Sequence, residues 1–402
     1  MLSQKTKMYG SIKDMNMNNN TIIEEFVKAR RLKKGTQEQY TIALNFYSKF
    51  QEKPLSELLK EADTEEENGI RWKNRKLKQR LINYRNYLYE HYVKSTAELK
   101  FALIKTFYKH HEIEIHDLPA VNKKNIKLSE PLKFKDLPDK ELIKKTLKIA
   151  NPLMRAIILF MSSSGCARAE TLSLTIQDYL DATKEYHNTN DLSKAVQLMH
   201  DKDIIPTFYL KRIKTNKYYY TFCSPEANKE IINYLLLRED LDNDNLNELP
   251  LFKCNVAYFE RHFAKINNTL NLGKIGAHNK FKSHILRKFH ATNLYNNGMG
   301  LEEVDALQGR SKDLTHSSYF TEDPSRLKEK YIKHLGCLTI NLDVNTLEIK
   351  SPEFVELENE NAILKEQNKH YQEIVDNIDA RIDEKINAAM KNNSDDLDDL
   401  FS

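Results

Sequence analysis

A tyrosine and several basic residues near position 300 are the part of this sequence best suited to chemistry. His284 and Arg287 share one segment, Arg310 follows Arg287 by 23 positions, and Tyr319 follows Arg310 by 9. Fixed cationic side chains stabilise the negative charge that develops on phosphate oxygens during phosphoryl transfer. A tyrosine hydroxyl titrates at about pH 10 in isolation, and it becomes a nucleophile when nearby cations favour its phenolate or a base accepts its proton.

Two upstream segments add further basic residues. Residues 162–174 contain Arg168 two positions before Glu170, and residues 209–218 are rich in lysine. The lysines of the second segment are Lys211, Lys214 and Lys217. Alternating apolar residues across 204–222 predict two strands around a turn near Thr215 and Asn216.

Together these segments resemble the signature of tyrosine recombinases, the family that includes phage integrases. The usual family pattern is H-x-L-R-H-x-F-A-T, then L-G-H, then a nucleophilic tyrosine, preceded by a T-G-x-R-x-x-E-x-x-x-L box. Here Gly165, Glu170 and Leu174 fall in place, but Ala167 stands where the arginine is expected and Arg168 follows one residue later. Arg310 stands where many members have histidine, in a Leu-Gln-Gly-Arg form similar to that of integrases of archaeal viruses and mobile elements.

The resemblance implies a role for each matching residue. Tyr319 would form a 3′-phosphotyrosine, and Arg168 and Arg287 would clamp the phosphate. His284 would accept the tyrosine proton, with Arg310 stabilising the transition state. Lys214 would protonate the leaving 5′ oxygen, with Lys211 and Lys217 as alternatives. Since the phosphotyrosine keeps the bond energy, no cofactor, metal or ATP is implied.

Each of these residues also has a simpler interpretation. Arg168 could pair with Glu170 or another acid, as arginines commonly do. Tyr331 competes with Tyr319 as a nearby tyrosine. His290 and His316 flank His284 without the carboxylate or cysteine pattern of a metal site, so packing or DNA contact is their expected role.

The elements that must position these residues predict a mainly α fold with a small antiparallel β-sheet. The predicted parts are a flexible lead 1–20, a helical core-binding domain 21–118 that clamps DNA, a linker 119–138, a catalytic domain 139–340, a coiled-coil-like helical tail 352–390 and an acidic disordered end 391–402. The resemblance covers roughly 138–336 by motif, and 21–118 only by arrangement.

Local signals predict individual helices. Thr36 with Gln39 forms a candidate capping box, Leu153–Met161 is an apolar helix, and Ser224 with Pro225 marks a helix start. A helix around Arg71–Tyr92 places basic residues opposite an apolar face. The predicted DNA contacts are Arg75, Lys78, Arg80 and Arg85 of this helix, and Lys211 and Lys217 of the hairpin.

The tail carries a heptad pattern. Its apolar positions alternate three and four apart and are interrupted by Asn361 and Asn368. The seam comprises Phe354, Leu357, Asn361, Leu364, Asn368, Tyr371, Val375, Ile378, Ile382 and Lys385. Buried asparagines in such a seam fix register and strand number, so a self-associating helix and a helix folded back onto the body are both open interpretations.

Charge and composition agree with a partner that is a polyanion. Residues 353–402 hold 14 of the 58 acidic residues and 5 of the 62 basic ones, which leaves 57 bases against 44 acids in the first 352. No apolar stretch is long enough to span a bilayer and no signal-peptide segment opens the chain. Four singly spaced cysteines predict reduced thiols. We expect a cytoplasmic, nucleoid-associated protein of a prokaryotic host.

The function implied is that of an integrase or excisionase of a mobile element, including integration of a viral genome. Expected partners are duplex DNA attachment sites, a homo-tetramer on synapsed DNA, and an accessory DNA-bending or directionality factor. A chromosome-dimer resolvase or a type IB topoisomerase would use the same chemistry. From a different class, the shifted Arg168 keeps open a catalytically inactive DNA-binding descendant.

Overall fold

The structure is a computed structural model that describes residues 19–122, 126–128, 132–200, 202–241, 245–310, 323–341 and 351–398. Side chains of the last range are described through residue 382, except at 379. The chain divides into two compact units, up to Pro131 and from Leu132. This boundary falls inside the stretch 119–138 that the sequence marks as a linker.

The first unit is helical over the described residues. Its helices are α1 (19–29), α2 (Lys34–Gln51), α3 (Leu55–Glu67), α4 (Lys76–His91) and α5 (Lys94–His110). Apolar side chains three and four apart, such as Leu77, Leu81, Tyr84 and Leu88 of α4, face a common core. The buried hydroxyls of Tyr47 and Tyr108 lie 3.1 Å apart and join α2 to α5.

One local prediction for this unit is wrong, and a second is confirmed with a later start. Helix α2 begins at Lys34 with no side-chain cap, so Thr36 lies inside its first turn and the predicted capping box does not form. The basic helix starts at Lys76 rather than Arg71, because a separate 3₁₀ turn, Trp72–Asn74, precedes it.

The second unit holds the remaining helices and two small sheets. Its helices are α6 (Lys140–Ile149), α7 (Pro152–Ser164), α8 (Arg168–Ser173), α9 (Ile176–Thr183), α10 (Leu192–Met199), α11 (Pro225–Leu236), α12 (Val256–Thr269), α13 (Ser283–Asn296), α14 (Leu301–Leu307), α15 (Pro324–Lys333) and α16 (Pro352–Asp398). The mainly α fold with small antiparallel sheets is confirmed.

Helix α7 is the centre of this unit. It is capped by the Asn151 side chain, has Pro152 at its first position, and ends at Gly165 in the left-handed conformation. Its apolar residues are buried all round, and it packs against α11 and α13. The predicted start of α11 is confirmed, since the Ser224 side chain accepts from the Ala227 N–H.

Two antiparallel hairpins complete the described part of this unit. Strand β1 (Thr207–Arg212) pairs with β2 (Lys217–Phe222) so that Arg212 lies opposite Lys217. The turn between them ends at Asn216 in the left-handed region. This confirms the hairpin predicted from the sequence. A shorter hairpin joins β3 (Lys274–Ile275) to β4 (His278–Asn279).

Helix α16 runs for 47 residues. Near its start Val355 is fully buried, and Lys202 Nζ donates to Asn359 Oδ1 at 2.6 Å, so the first turns pack on the second unit. Among the described residues, none of the helices combines the length and apolar character needed to cross a membrane.

Candidate active site

The C-terminal end of α7 binds three different parts of the second unit. The last carbonyls of a helix have no partner within it and carry partial negative charge. Here Ser163 O accepts from the Tyr331 hydroxyl at 3.0 Å, Ser164 O accepts from Thr221 Oγ1 at 2.7 Å, and Gly165 O accepts from Arg287 Nη1. Three consecutive carbonyls thereby hold α15, β2 and α13.

Arg287 is the buried cation of this arrangement. Its side chain is 6% exposed, and it donates from Nη2 to Gln308 O at 2.6 Å as well as to Gly165 O. Burial lowers the pKa of Arg287, as does the neighbouring Arg212, while Glu170 opposes the shift. This guanidinium therefore links α13 to Gly165, which is 122 positions away in the sequence, and to Gln308, which is 21 positions away.

Gln308 and His290 are buried beside Arg287 and contact each other. Gln308 Nε2 donates to Arg287 O at 3.0 Å and lies 3.0 Å from His290 Nδ1. Burial, with Arg287 and Arg310, lowers the pKa of His290 to about 3, so the ring is neutral and accepts this bond. Gly165 makes room for both, since a Cβ there would lie 2.6 Å from His290 Nδ1. His290 thus packs, as expected.

Arg212 is a candidate residue that the sequence analysis missed. It is partly buried at the end of β1 and donates from Nη1 to Gly309 O at 2.7 Å, one residue beyond the carbonyl that holds Arg287. Gly309 has φ +57°, and a Cβ there would lie 2.5 Å from the Tyr219 ring, so this turn lies directly against β2. The alternation of β1 turns Arg212 inward while Lys211 points outward, but the sequence alone did not rank them.

An open cleft of about 720 Å³ brings several predicted residues together. Its charged lining residues are Arg168, Glu260, Lys274, Lys282 and Arg287. Four bases against one acid favour an anionic ligand. His284 also lines the cleft, beside Ala167. The sequence analysis did not single out Lys274 or Lys282.

Arg168 lies in this cleft but its charge is already paired. It is the first residue of α8, its side chain is 43% exposed, and it forms an ion pair with Glu260 of α12. The partner is therefore another acid and not Glu170, which is buried. Arg168, from the first family box (residues 162–174), and Arg287 therefore bind different acceptors, the Glu260 carboxylate and two main-chain carbonyls.

His284 and Arg310 are both exposed in the described structure. The His284 ring still touches the surrounding protein on part of its surface, and the resulting loss of hydration lowers its pKa; the neighbouring cations, led by Lys288 and Lys282, lower it further. The neutral imidazole is thus the favoured form near neutral pH, as a proton acceptor requires. Arg310 forms an ion pair with Asp305 at 3.0 Å.

The remaining catalytic candidates lie at or beyond the edge of what the structure describes. Lys214 is exposed in the turn between β1 and β2. Tyr319 lies outside the described residues, as does His316. The competing Tyr331 is fully buried in α15 with its hydroxyl bound to Ser163 O, and its pKa is raised by burial, so it is not available for attack.

The residues predicted to contact DNA differ in their exposure and in the partners they already bind. The prediction that Arg75 contacts DNA is wrong. Arg75 is 8% exposed, donates to Ile70 O at 2.9 Å and pairs with Glu66 at 3.0 Å, so it stabilises the turn that precedes α4. Arg80 pairs with Glu61 at 2.5 Å, and burial lowers the pKa of Arg85. Lys78 is partly exposed.

The two hairpin lysines predicted to contact DNA differ in exposure. Lys211 is exposed, with its Nζ 5.6 Å from the centre of the Tyr218 ring, and Lys217 is partly exposed. No group of three or more His, Cys, Asp or Glu residues within the described ranges is arranged to hold a metal ion.

Comparisons with known proteins give structural likeness only. No model of a known protein family and no curated protein matches the chain. Among solved structures, XerH site-specific recombinase bound to difH substrate is 19% identical over 76% of this chain and 82% of its own, with a TM-score of 0.44. The XerA recombinase is 20% identical over 78% and 96%, with a TM-score of 0.32. An integrase from mycobacterium phage Brujita is 11% identical over 81% and 93%, with a TM-score of 0.32.

Proposed function

We propose that this chain is a site-specific tyrosine recombinase that cleaves and rejoins duplex DNA through a phosphotyrosine at Tyr319. The observation that carries the proposal is the environment of Arg287. Residues from three sequence motifs, Gly165, Arg287 and Gln308, meet at one buried guanidinium beside a basic cleft. Motifs that matter only for packing would have no need to hold a charged group at a cleft, since burying a charge is costly.

The arrangement suits stabilisation of a phosphorane-like transition state. Arg287 is fixed by two carbonyls, so its remaining N–H groups can donate to a phosphate oxygen without reorganisation. A second cation is needed because Ala167 occupies the usual arginine position. Arg168 and Arg212 are the two candidates, and we favour Arg212, because Arg168 is paired with Glu260 and Arg212 lies close enough to lower the pKa of Arg287.

Proton transfer is assigned to His284 and Lys214. His284 has a lowered pKa and can accept the Tyr319 proton as the hydroxyl attacks phosphorus. The 5′ oxygen leaves as the P–O bond breaks, and Lys214 from the exposed hairpin turn would protonate it. Arg310 would donate to a non-bridging oxygen after exchanging Asp305 for phosphate. No metal or cofactor enters this scheme.

Covalent trapping tests the proposal directly. Nicked suicide duplexes tiled across the DNA that flanks the coding sequence are incubated with protein in EDTA and resolved on a denaturing gel. We expect a slow-migrating adduct with wild type and none with Tyr319→Phe. Tyr295→Phe is the matched control, because Tyr295 is 58% exposed on α13. Equal adducts in Tyr319→Phe would place the nucleophile elsewhere.

A catalytically inactive DNA-binding descendant is the second candidate. The observations that favour it are Ala167 in the first box and the engagement of Arg168 with Glu260. Such a protein would retard the same duplexes in a native gel yet give no adduct with wild type. Binding with adduct formation supports the recombinase, and binding without adduct supports the descendant.

The biological role proposed is integration or excision of a mobile element, such as a viral genome, by a homo-tetramer on two attachment sites. A type IB topoisomerase would instead relax any supercoiled plasmid, and a chromosome-dimer resolvase would act on a pair of host sites. Comparing relaxation of plasmids with one site, two sites or none separates these roles. An accessory bending or directionality factor would appear as a host-extract requirement for one direction only.

A further inference from the structure

Helix α16 exposes an apolar seam after its first turns. Between residues 354 and 382, nine large apolar side chains are exposed on the described helix, and seven of them lie on the heptad positions. These seven are Phe354, Leu357, Leu364, Tyr371, Val375, Ile378 and Ile382, with exposed fractions of 48% to 63%. Four heptads of α-helix extend about 42 Å. An apolar stripe of that length is characteristic of a partner surface.

The way α16 docks leaves this seam exposed. The helix contacts the rest of the second unit through Val355, which is buried, and through Asn359 and Glu358, whose side-chain oxygens lie 2.6 Å and 4.0 Å from Lys202 Nζ. With Phe354 and Leu357 as a and d of the heptad, Val355 and Asn359 are b and f, which lie on the side of the helix opposite the a and d seam. Glu358 is an e position, which flanks the seam.

We propose that two copies of this chain associate through the seam as a parallel, in-register, two-stranded coiled coil. The proposal goes beyond the recombinase function and does not depend on it. A second copy is the occupant that the asparagines of the seam indicate. Asn361 and Asn368 both occupy a positions, where identical positions face each other only in a parallel, in-register pair.

The asparagines argue against the antiparallel alternative. There each a position faces a d position, and the d positions of this seam are Leu357, Leu364, Tyr371 and Ile378. Each asparagine amide would then be buried against an apolar or aromatic side chain. Asn361 Nδ2 already donates to Leu357 O of its own helix at 2.9 Å, but the buried amide oxygen would lack a donor, which disfavours this packing. In the parallel pair, each asparagine faces the same asparagine of the second copy, and the amide N–H of one donates to the amide oxygen of the other.

One flanking charge pair and the core residues agree with the same arrangement, whereas Glu353 at g and Glu358 at e are like charges. Glu360 is a g position and Lys365 is the e position five residues later, so in a parallel pair they attract across the interface twice. Both side chains are exposed. Val375 and Ile382 at a with Leu357 and Leu364 at d are the combination that favours two strands.

Mass in solution is the first test, and it uses the 402-residue chain of 47.2 kDa without DNA. Sedimentation equilibrium at micromolar concentration should give twice that mass. Leu364→Glu with Ile378→Glu places charges in the seam and should weaken association about 100-fold or more, giving monomer. The matched control, Ala362→Glu with Ala380→Glu, adds the same charges to exposed b and f positions and should stay dimeric.

Cross-linking tests the direction of the pair. Val375→Cys at an a position should form a disulfide with the same position of the second copy under mild oxidation, whereas Glu373→Cys on the outer face should not. Wild type oxidised in parallel corrects for Cys254 and Cys337, which are partly exposed. A monomeric wild type, a dimer that survives the seam substitutions, or a dimer without the residue 375 cross-link would each overturn the proposal. Because neither assay uses DNA, their outcome is independent of covalent trapping.

Discussion

Arg287 and Arg168 line the same cleft, and their guanidinium groups are held in opposite ways. Arg287 is buried and donates to two main-chain carbonyls, whereas Arg168 is 43% exposed and pairs with the side chain of Glu260. Carbonyls accept a hydrogen bond without neutralising the cation, so Arg287 keeps its charge for a ligand. A carboxylate neutralises it. For an arginine in such a site, the group that already binds it therefore matters more than its position in a motif.

Replacing Arg287 should have the largest effect of the substitutions below, on DNA cleavage as well as on stability. Arg287→Met removes the fixed cation and leaves Gly165 O and Gln308 O without their donor. We expect DNA cleavage to fall about 1,000-fold, the upper range for loss of one preorganised donor. Unfolding by urea should show a stability loss of about 2–4 kcal/mol. Arg287→Lys should recover part of the stability and little of the rate, because lysine cannot donate as a fork.

Exchanging the second cation separates Arg212 from Arg168. Arg212→Met should lower the rate of adduct formation about 100-fold, whereas Arg168→Met should change it less than about tenfold. Glu260→Gln sharpens the contrast, because it frees Arg168 without removing it. A rate that rises in Glu260→Gln and collapses in Arg168→Met would reverse the assignment and return the role to the first-box arginine.

Gly165→Ala tests whether the support behind Arg287 needs its close packing. The new Cβ would collide with His290 and Gln308, and the left-handed backbone, φ +67°, disfavours alanine. We expect a loss of about 2 kcal/mol in the free energy of unfolding. Gly35→Ala is the matched control: it lies in the first turn of α2 with open space around its Cβ, and should be neutral or stabilising by up to about 1 kcal/mol.

The pH profile should report His284 with the smallest effect. Because its pKa is lowered below the usual 6.5, the neutral base persists through neutral pH and is lost only as pH falls below 6.5. Single-turnover cleavage should therefore drop about tenfold per pH unit below that pKa. His284→Gln should be slow and flat over the same range. His278→Gln, in the same cleft, should keep the wild-type profile.

Local signals predicted the elements whose cues are local. Proline after a capping residue marked the start of α11, an apolar run marked α7, and alternating residues marked the hairpin. The capping box at Thr36 was wrong because Lys33, and not Thr36, precedes the first helical turn. A single sequence pattern does not rank competing start positions when no side chain caps either of them.

The site itself was predictable in its residue types and not in its contacts. The motif intervals brought out Arg287 and His284, but the Gly165 carbonyl lies 122 positions from Arg287, and Glu260 lies 92 positions from Arg168. Such pairings depend on how helices pack, which spacing does not encode. Arg212 was overlooked for the same reason, since its partner, Gly309 O, is 97 positions away.

The C-terminal end of α7 is the common attachment point for described residues on both sides of Tyr319. Arg310, the last described residue before Tyr319, follows Gln308 and Gly309, whose carbonyls are held by Arg287 and Arg212. Helix α15, which follows Tyr319 in the sequence, is held at Ser163 O through the Tyr331 hydroxyl. Arg287 joins Gln308 O to Gly165 O, so described residues on either side of Tyr319 are linked to Ser163 and Gly165, two positions apart at the end of α7. A rigid-body motion of this helix end would therefore move both attachment points together.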